Sequence, residues 1–225
     1  MSNEAALFFL KPDATARRAV GAAVVSQLLD LDVRLEVFCQ LTPSKSFLAE
    51  KHYAIHKGKF FYAWLLDYVS SGPVVAAIIE GKGVVAMVRS LLGATLPEQA
   101  DPSSMRGRFG IIGGLNVAHA SDSPENGETE KALWGPLFQK HCAGAASPGS
   151  ALASAGEYVD HYGLFDLVAT EEYREVSKSL SSGDVCGTEA LAAFRKLLAR
   201  ESDLDADVLA RIAAVMVSNA TSRKP

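Results

Sequence analysis

The apolar positions change their period several times along the chain, and each change marks an element. Ala6-Leu7-Phe8-Phe9-Leu10 is an uncharged apolar run, as expected of a buried strand. Lys11-Pro12-Asp13 ends it, because Pro12 cannot donate to a central ladder. Val20, Ala23, Val24, Leu28 and Leu31 then recur at helical spacing and predict an amphipathic helix over 17–30. Val33 to Phe38 alternates with period two, which predicts a half-buried strand to about Thr42. Ser44 can cap a helix reaching His52-Tyr53, and Phe61, Trp64, Leu65 and Tyr68 mark a further helical face, stopped by Ser70-Ser71-Gly72-Pro73. Val74 to Ile79 predicts a central strand buried on both faces. Gly81-Lys82-Gly83 turns into a helix with Val84, Val85, Val88, Leu91 and Leu92 on its core side and Gly93 just past its end.

Residues 94–108 predict a long loop, a length that is usually functional, carrying Thr95, Arg106 and Arg108. Ile111-Ile112 leads through Gly113-Gly114 to the stretch Leu115 to Ser123, where a last strand should give way to a turn at His119. Ser123 is a natural N-cap, Pro124 fits the first helical turn and Glu125 suits the positive end of the dipole, so a helix should follow to Trp134. The order strand, helix, strand, helices, strand, helix, strand, helix predicts an α+β sandwich. Its form is the ferredoxin-like βαββαβ arrangement, a four-stranded antiparallel sheet with helices on one side. Beyond it, 143–156 is rich in Ala, Gly and Ser and reads as a linker between a unit over 1–142 and a helical extension over 157–225. The stripes Ala190, Phe194, Leu197, Leu198 and Leu209, Ile212, Ala213, Met216 predict two amphipathic helices there. They need a surface on the same chain, a neighbouring subunit or another protein, and the expectation is packing within a homo-oligomer.

Composition narrows the function classes. A formal net charge of −4 gives no global basic field for nucleic acid, so any phosphate site must be a local cluster of Lys and Arg. The apolar runs are too short to span a bilayer and the N-terminus lacks a basic leader, so the expected location is cytoplasmic and no membrane partner is expected. Cys39, Cys142 and Cys186 form no CxxC pair, which suggests neither a zinc site nor a disulfide framework and reads as thiols in a reducing compartment. Asp203, Asp205 and Asp207 have the odd-position spacing of a calcium loop but lack its glycine and terminal glutamate.

Taken singly, Phe61 and Tyr53 fit core positions, Arg89 a solvated helix residue and Thr95 an ordinary loop residue. Together they resemble a known set. Lys11-Pro12-Asp13 after the first strand and Asn116-x-x-His119-x-Ser121-Asp122-Ser123 are similar to the KPD and NxxHxSDS motifs of the nucleoside diphosphate kinase family. His52-Tyr53, Phe60-Phe61, Ser71-Gly72-Pro73-Val74, Arg89 with Gly93-x-Thr95, Arg106-Gly107-x-Phe109, Glu130 and Leu133-Trp134 follow in that family's order. The resemblance covers residues 5 to about 134.

It implies a ping-pong phosphotransferase of nucleotide metabolism. His119 would take the γ-phosphate of a nucleoside triphosphate (ATP or GTP) as a phosphohistidine and pass it to a nucleoside diphosphate. Glu130 would fix the second ring nitrogen, with Ser121 beside it. Lys11, Arg89 and Arg106 would neutralise the phosphates, with Thr95 and Tyr53 as hydroxyl donors. Asn116 would bond the sugar and Phe61 would stack on any base. Mg2+ would be held mostly by the nucleotide, with no dedicated protein ligands. The resemblance also implies a homo-oligomer (hexamer, trimer or dimer). Ala120 stands where the family usually has Gly; if that position needs positive φ, alanine costs about 1 kcal/mol. The alternative is a weak or inactive scaffold that keeps the fold and docks a protein partner through the C-terminal helices.

Overall fold

The computed structural model describes residues 3–142 and 147–221. Four strands, β1 (Asn3–Leu10), β2 (Arg34–Leu41), β3 (Val74–Lys82) and β4 (Ala118–Ala120), form one sheet in the order β2-β3-β1-β4. Every pairing is antiparallel, so the ferredoxin-like sandwich is the fold. Between β1 and β2 lie α1 (Pro12–Ala16) and α2 (Arg18–Leu29). Between β2 and β3 lie α3 (Lys45–Phe47), a π-helical turn over Leu48–His52, a 3-10 turn over Ala54–His56 and α4 (Tyr62–Val69). Next come α5 (Val84–Leu92), a 3-10 turn over Pro97–Gln99 and α6 (Met105–Phe109). After β4 come α7 (Pro124–His141), α8 (Pro148–Tyr162), α9 (Thr170–Ser182), α10 (Gly187–Glu201) and α11 (Ala206–Thr221).

Strand periodicity divides the core. Leu7 and Phe9 of β1 join Val74, Ala76 and Ile78 of β3 on one face, with Tyr68, Trp134, Ile212 and Met216 from the covering helices. Ala6, Phe8 and Leu10 join Val75, Ala77 and Ile79 on the other, with Val24, Leu28, Val88 and Tyr158. Both faces are therefore covered, not one. That explains why β1 and β3 read as uninterrupted apolar runs where a half-exposed strand would alternate.

Several boundaries differ from the sequence expectation. The 94–108 stretch contains a 3-10 turn and α6, whose Ser104 side chain accepts the Gly107 N–H as an N-cap. The last strand is only Ala118–Ala120, because Ile111 and Leu115 close a tight turn rather than extend a ladder. Helix α7 continues past Trp134 through Gly135-Pro136 to His141, since Trp134 and Phe138 are buried one turn apart in the same core. The linker expected over 143–156 falls partly outside the described residues, and 148–156 is helix: Ser147 and Ser150 cap each other and Pro148 fills the first turn. Three helices, α9 to α11, not two, follow the linker position among the described residues, and α8 occupies its second half. Both predicted stripes are buried within the chain itself: Phe194, Leu198, Leu209, Ile212 and Met216 join the core under α4 and α7. Cys39 of β2 and Cys142 at the end of α7 are disulfide-bonded, contrary to the reading of free thiols. The fold brings their Cα atoms to 6.0 Å across a separation of 103 residues, and Cys186 stays free. No helix among the described residues is long and apolar enough to cross a membrane.

Candidate active site

The site gathers where β1 ends beside the short strand β4. His119 pairs with Phe9 in the ladder, and the two rings stack at 4.8 Å. The turn before His119 is unusual: Val117 has φ 74°, the one positive-φ non-glycine among the described residues. Two buried groups hold it. Its N–H donates to Asp13 Oδ2 at 3.3 Å, and its carbonyl accepts from Lys11 N at 2.8 Å. Asp13 also accepts the Tyr68 hydroxyl, and burial pushes its carboxyl pKa up. Ala120 sits in regular strand opposite Phe8, so the alanine carries no left-handed strain.

Helix α7 supplies Glu130. It lies close against β1 because Gly127 has no side chain; a Cβ there would meet the Ala5 carbonyl at 2.0 Å. Glu130 Oε1 stands 3.0 Å from His119 Nε2, at ion-pair distance but short of hydrogen-bond alignment in this resting geometry. Glu130 Oε2 accepts the Ser121 hydroxyl at 2.5 Å, and Ser121 Oγ takes the Leu7 N–H at 2.9 Å. Ser121 thus ties the carboxylate to the edge of the sheet. With Nε2 turned toward Glu130, Nδ1 is the ring nitrogen left for chemistry.

The cations converge on the same turn. Lys11 Nζ donates to Asn116 Oδ1 at 2.6 Å, and Asn116 Nδ2 donates to the Thr95 carbonyl at 2.8 Å. Burial first, then the neighbouring Arg106 charge, lower the Lys11 pKa to about 7. Arg106 donates to the carbonyls of Gly93 (2.9 Å), Asn116 (3.1 Å) and Ala118 (2.8 Å). A guanidinium has five N–H donors, so about two remain for a ligand. Burial and the nearby Arg89 charge lower the Arg106 pKa to about 10. Arg89 and Thr95 are both exposed beside it. The structure therefore brings together two adjacent groups, Lys11 with Asn116 and Arg106, and His119 with Glu130 and Ser121, with Asn116 connecting Lys11 to the 95 segment.

Tyr53 and Phe61 connect differently. Tyr53 is buried, and burial pushes its hydroxyl pKa up. Ring contacts run from half-buried Phe61 to His56 (5.6 Å), His56 to Tyr53 (5.9 Å), Tyr53 to His52 (4.4 Å) and His52 to His119 (4.7 Å). Sequence reasoning missed His52, His56, Asp13 and Phe9 as parts of the site. Only the HY and KPD motifs hinted at His52 and Asp13. Burial holds the His52 pKa well below its usual value, and its Nδ1 accepts the Trp134 indole N–H at 3.2 Å. His52, His119 and Glu130 offer ligand atoms within 4.8 Å of one another; His52 Nδ1 is taken by Trp134, while its buried Nε2 has no hydrogen-bond partner among the described residues.

The site thus sets a histidine at ion-pair distance from a carboxylate, on a ferredoxin-like sandwich whose adjacent turn carries a lysine and an arginine, an arrangement suited to phosphoryl transfer. The family model for nucleoside diphosphate kinase matches residues 4–140. Over 131 residues the chain is 45% identical to a nucleoside diphosphate kinase of Herpetosiphon aurantiacus, covering 58% of this chain and 87% of that one. Over 139 residues it is 44% identical to one from Chloroflexus aurantiacus, covering 61% and 89%. The crystal structure of the Aquifex aeolicus nucleoside diphosphate kinase matches with TM-score 0.56 and 32% identity over 59% of this chain and 94% of that one. The chain belongs to the nucleoside diphosphate kinase family, and phosphotransfer is its activity. The match ends where α7 ends, so α8 to α11 lie outside it.

Proposed function

We propose that the chain moves the γ-phosphate of a nucleoside triphosphate to a nucleoside diphosphate through a phosphohistidine on His119 Nδ1. The observation that carries this is the orientation of the ring, with Nε2 facing Glu130 and Nδ1 left to attack. The lone pair on Nδ1 attacks phosphorus, the bond to the bridging oxygen breaks, and the diphosphate leaves; the second nucleotide reverses these steps. As the ring gains positive charge, Glu130 stabilises it, and Ser121 keeps the carboxylate in place. Lys11 and Arg106 offset the charge on the transferring oxygens, with Arg89 at the outer edge. Phe61 offers a face to the base, and the exposed Phe60 beside it widens that surface.

By this reading a divalent cation reaches the site with the nucleotide. The nearby carboxylates are engaged: Glu130 with Ser121 and His119, Asp13 with Tyr68 and Val117. We therefore assign Mg2+ to the phosphates, where it would neutralise charge, with no carboxylate of this chain as its ligand. The catalytic unit is residues 1–142 by this reading, and the protein forms a homo-oligomer. Nothing favours the scaffold alternative, since every group the chemistry needs is present and connected.

The test is intact-mass measurement after incubation with ATP and magnesium. One acid-labile phosphate is expected on the wild type and none on His119→Ala; equal labelling of both would place the acceptor elsewhere.

A further inference from the structure

The helices beyond the family match reach into the site through the segment 107–115, which joins Arg106 to Asn116. That segment has little regular structure of its own, so its backbone carbonyls need partners. The C-terminal helices supply them. Arg174 of α9 donates to Gly110 O through Nε (3.0 Å) and Nη2 (2.8 Å), and to Gly107 O through Nη2 (2.7 Å). These are the carbonyls at the C-terminal end of α6, where a cation is favoured and the last groups lack intrahelical partners. Arg17 Nη1 donates to the adjacent Phe109 O at 2.8 Å. Asn219 of α11 donates to Ile112 O at 3.1 Å.

Arg17 is itself held from the extension. It is fully buried, with its ring-facing side over Tyr173 at 4.7 Å, Nη2 on Thr170 Oγ1 at 2.7 Å and Nε 3.4 Å from Glu201. Glu201, also fully buried, accepts the Tyr173 hydroxyl and the Val168 N–H. A buried ion pair is weak evidence for stability, because desolvation offsets most of its attraction. The directional contacts are those of the other guanidinium nitrogens: with Glu201 as its counter-charge, Arg17 donates through Nη2 to Thr170 of α9 and through Nη1 to the Phe109 carbonyl, three residues from Arg106.

We propose that Arg174, Asn219 and the Arg17–Glu201 pair are positioning residues for phosphoryl transfer. They fasten both sides of the Arg106–Asn116 segment, so that the C-terminal helices set where Arg106 and Asn116 stand relative to His119. None of them touches the reacting atoms. The proposal rests on the reading of Arg106 as a phosphate cation. Catalysis that works by positioning is sensitive to this, since a misplacement of about 1 Å can cost on the order of a hundredfold.

The test is a double-mutant cycle in the full chain, read as the single-turnover rate of phosphoenzyme formation from ATP and magnesium, with folding checked by thermal melting. Arg174→Ala is expected to lower the rate about tenfold in the wild-type background but by less than about twofold when Arg106→Ala is already present, the non-additivity of residues acting through one another. Arg174→Lys should recover part of the loss, and Arg200→Ala, on an exposed pair with Glu172 on the same helices, should leave the rate unchanged. Equal factors in both backgrounds, or an unchanged rate in Arg174→Ala, would overturn the proposal. If Arg174→Ala fails to fold, Asn219→Ala enters the same cycle with the same expectation and the same overturning result. An unaltered rate in Arg106→Ala alone would instead overturn the assignment of Arg106, and the inference with it.

Discussion

Glu130 Oε1 stands 3.0 Å from His119 Nε2 while its other oxygen takes the Ser121 hydroxyl. In the proposed mechanism this one carboxylate selects which nitrogen of the ring reacts. Glu130→Gln keeps the shape and removes the charge that balances the imidazolium. Loss of such an orienting partner typically costs about ten- to a hundredfold. Phosphoenzyme formation should slow by that order while nucleotide binding, measured by calorimetry, changes little. A rate equal to wild type would detach Glu130 from the chemistry.

Lys11 gives the site a pH dependence. Its folded-state pKa of about 7 lies below the usual 10.5, because burial and Arg106 disfavour the charged form. Between those values the unfolded chain binds more protons than the folded one, so the contribution of Lys11 to stability rises with pH across that window. Polyphosphate favours the protonated amine, so binding above about pH 7 must take up a proton. Titrations in buffers of different ionisation enthalpy should show uptake approaching about one proton at pH 8 to 9. Lys11→Arg, which stays charged, should abolish it; uptake that survives would assign the proton to another group.

Removal of α8 to α11 should destabilise the whole chain. Leu209, Ile212 and Met216 pack in the core with Tyr68 and Trp134, and Leu→Ala alone at such positions costs about 2–5 kcal/mol. A chain ended at Cys142 is expected to melt far lower than the full chain and to bind a hydrophobic dye. Because these contacts lie within one chain, the melting point of the full-length protein should be less sensitive to dilution than an intersubunit role would make it. An unchanged melting point after truncation would contradict this packing.

The Cys39–Cys142 bond closes a loop of 103 residues. In the chain-entropy model such a cross-link stabilises by about 4–5 kcal/mol, an upper figure since native strain subtracts from it. Cys142→Ser, or reduction of the wild type, should lower the melting temperature, and reduction should have no further effect on the variant. Equal melting of oxidised and reduced wild type would show that the bond adds nothing.

Much of this protein was legible one residue at a time. Uninterrupted apolar runs marked β1 and β3, because strands covered on both faces have no polar side to show. Ser44, Ser123 and Gly93 marked element ends through local geometry that a sequence does encode. The motif around His119 offered a candidate nucleophile and candidate partners by type and order, through its resemblance to the family. What only the tertiary structure decided concerns groups distant in the chain. Gly127 allows α7 to approach β1 and so places Glu130 at His119. Val117 takes a left-handed φ that its own β-branched side chain opposes, held there by Asp13 and Lys11 more than a hundred residues away. The C-terminal stripes announced that they needed a surface but not which one, since apolar burial is non-directional. The fold gave them the core of their own chain, and put Arg174 and Asn219 on the backbone beside the site.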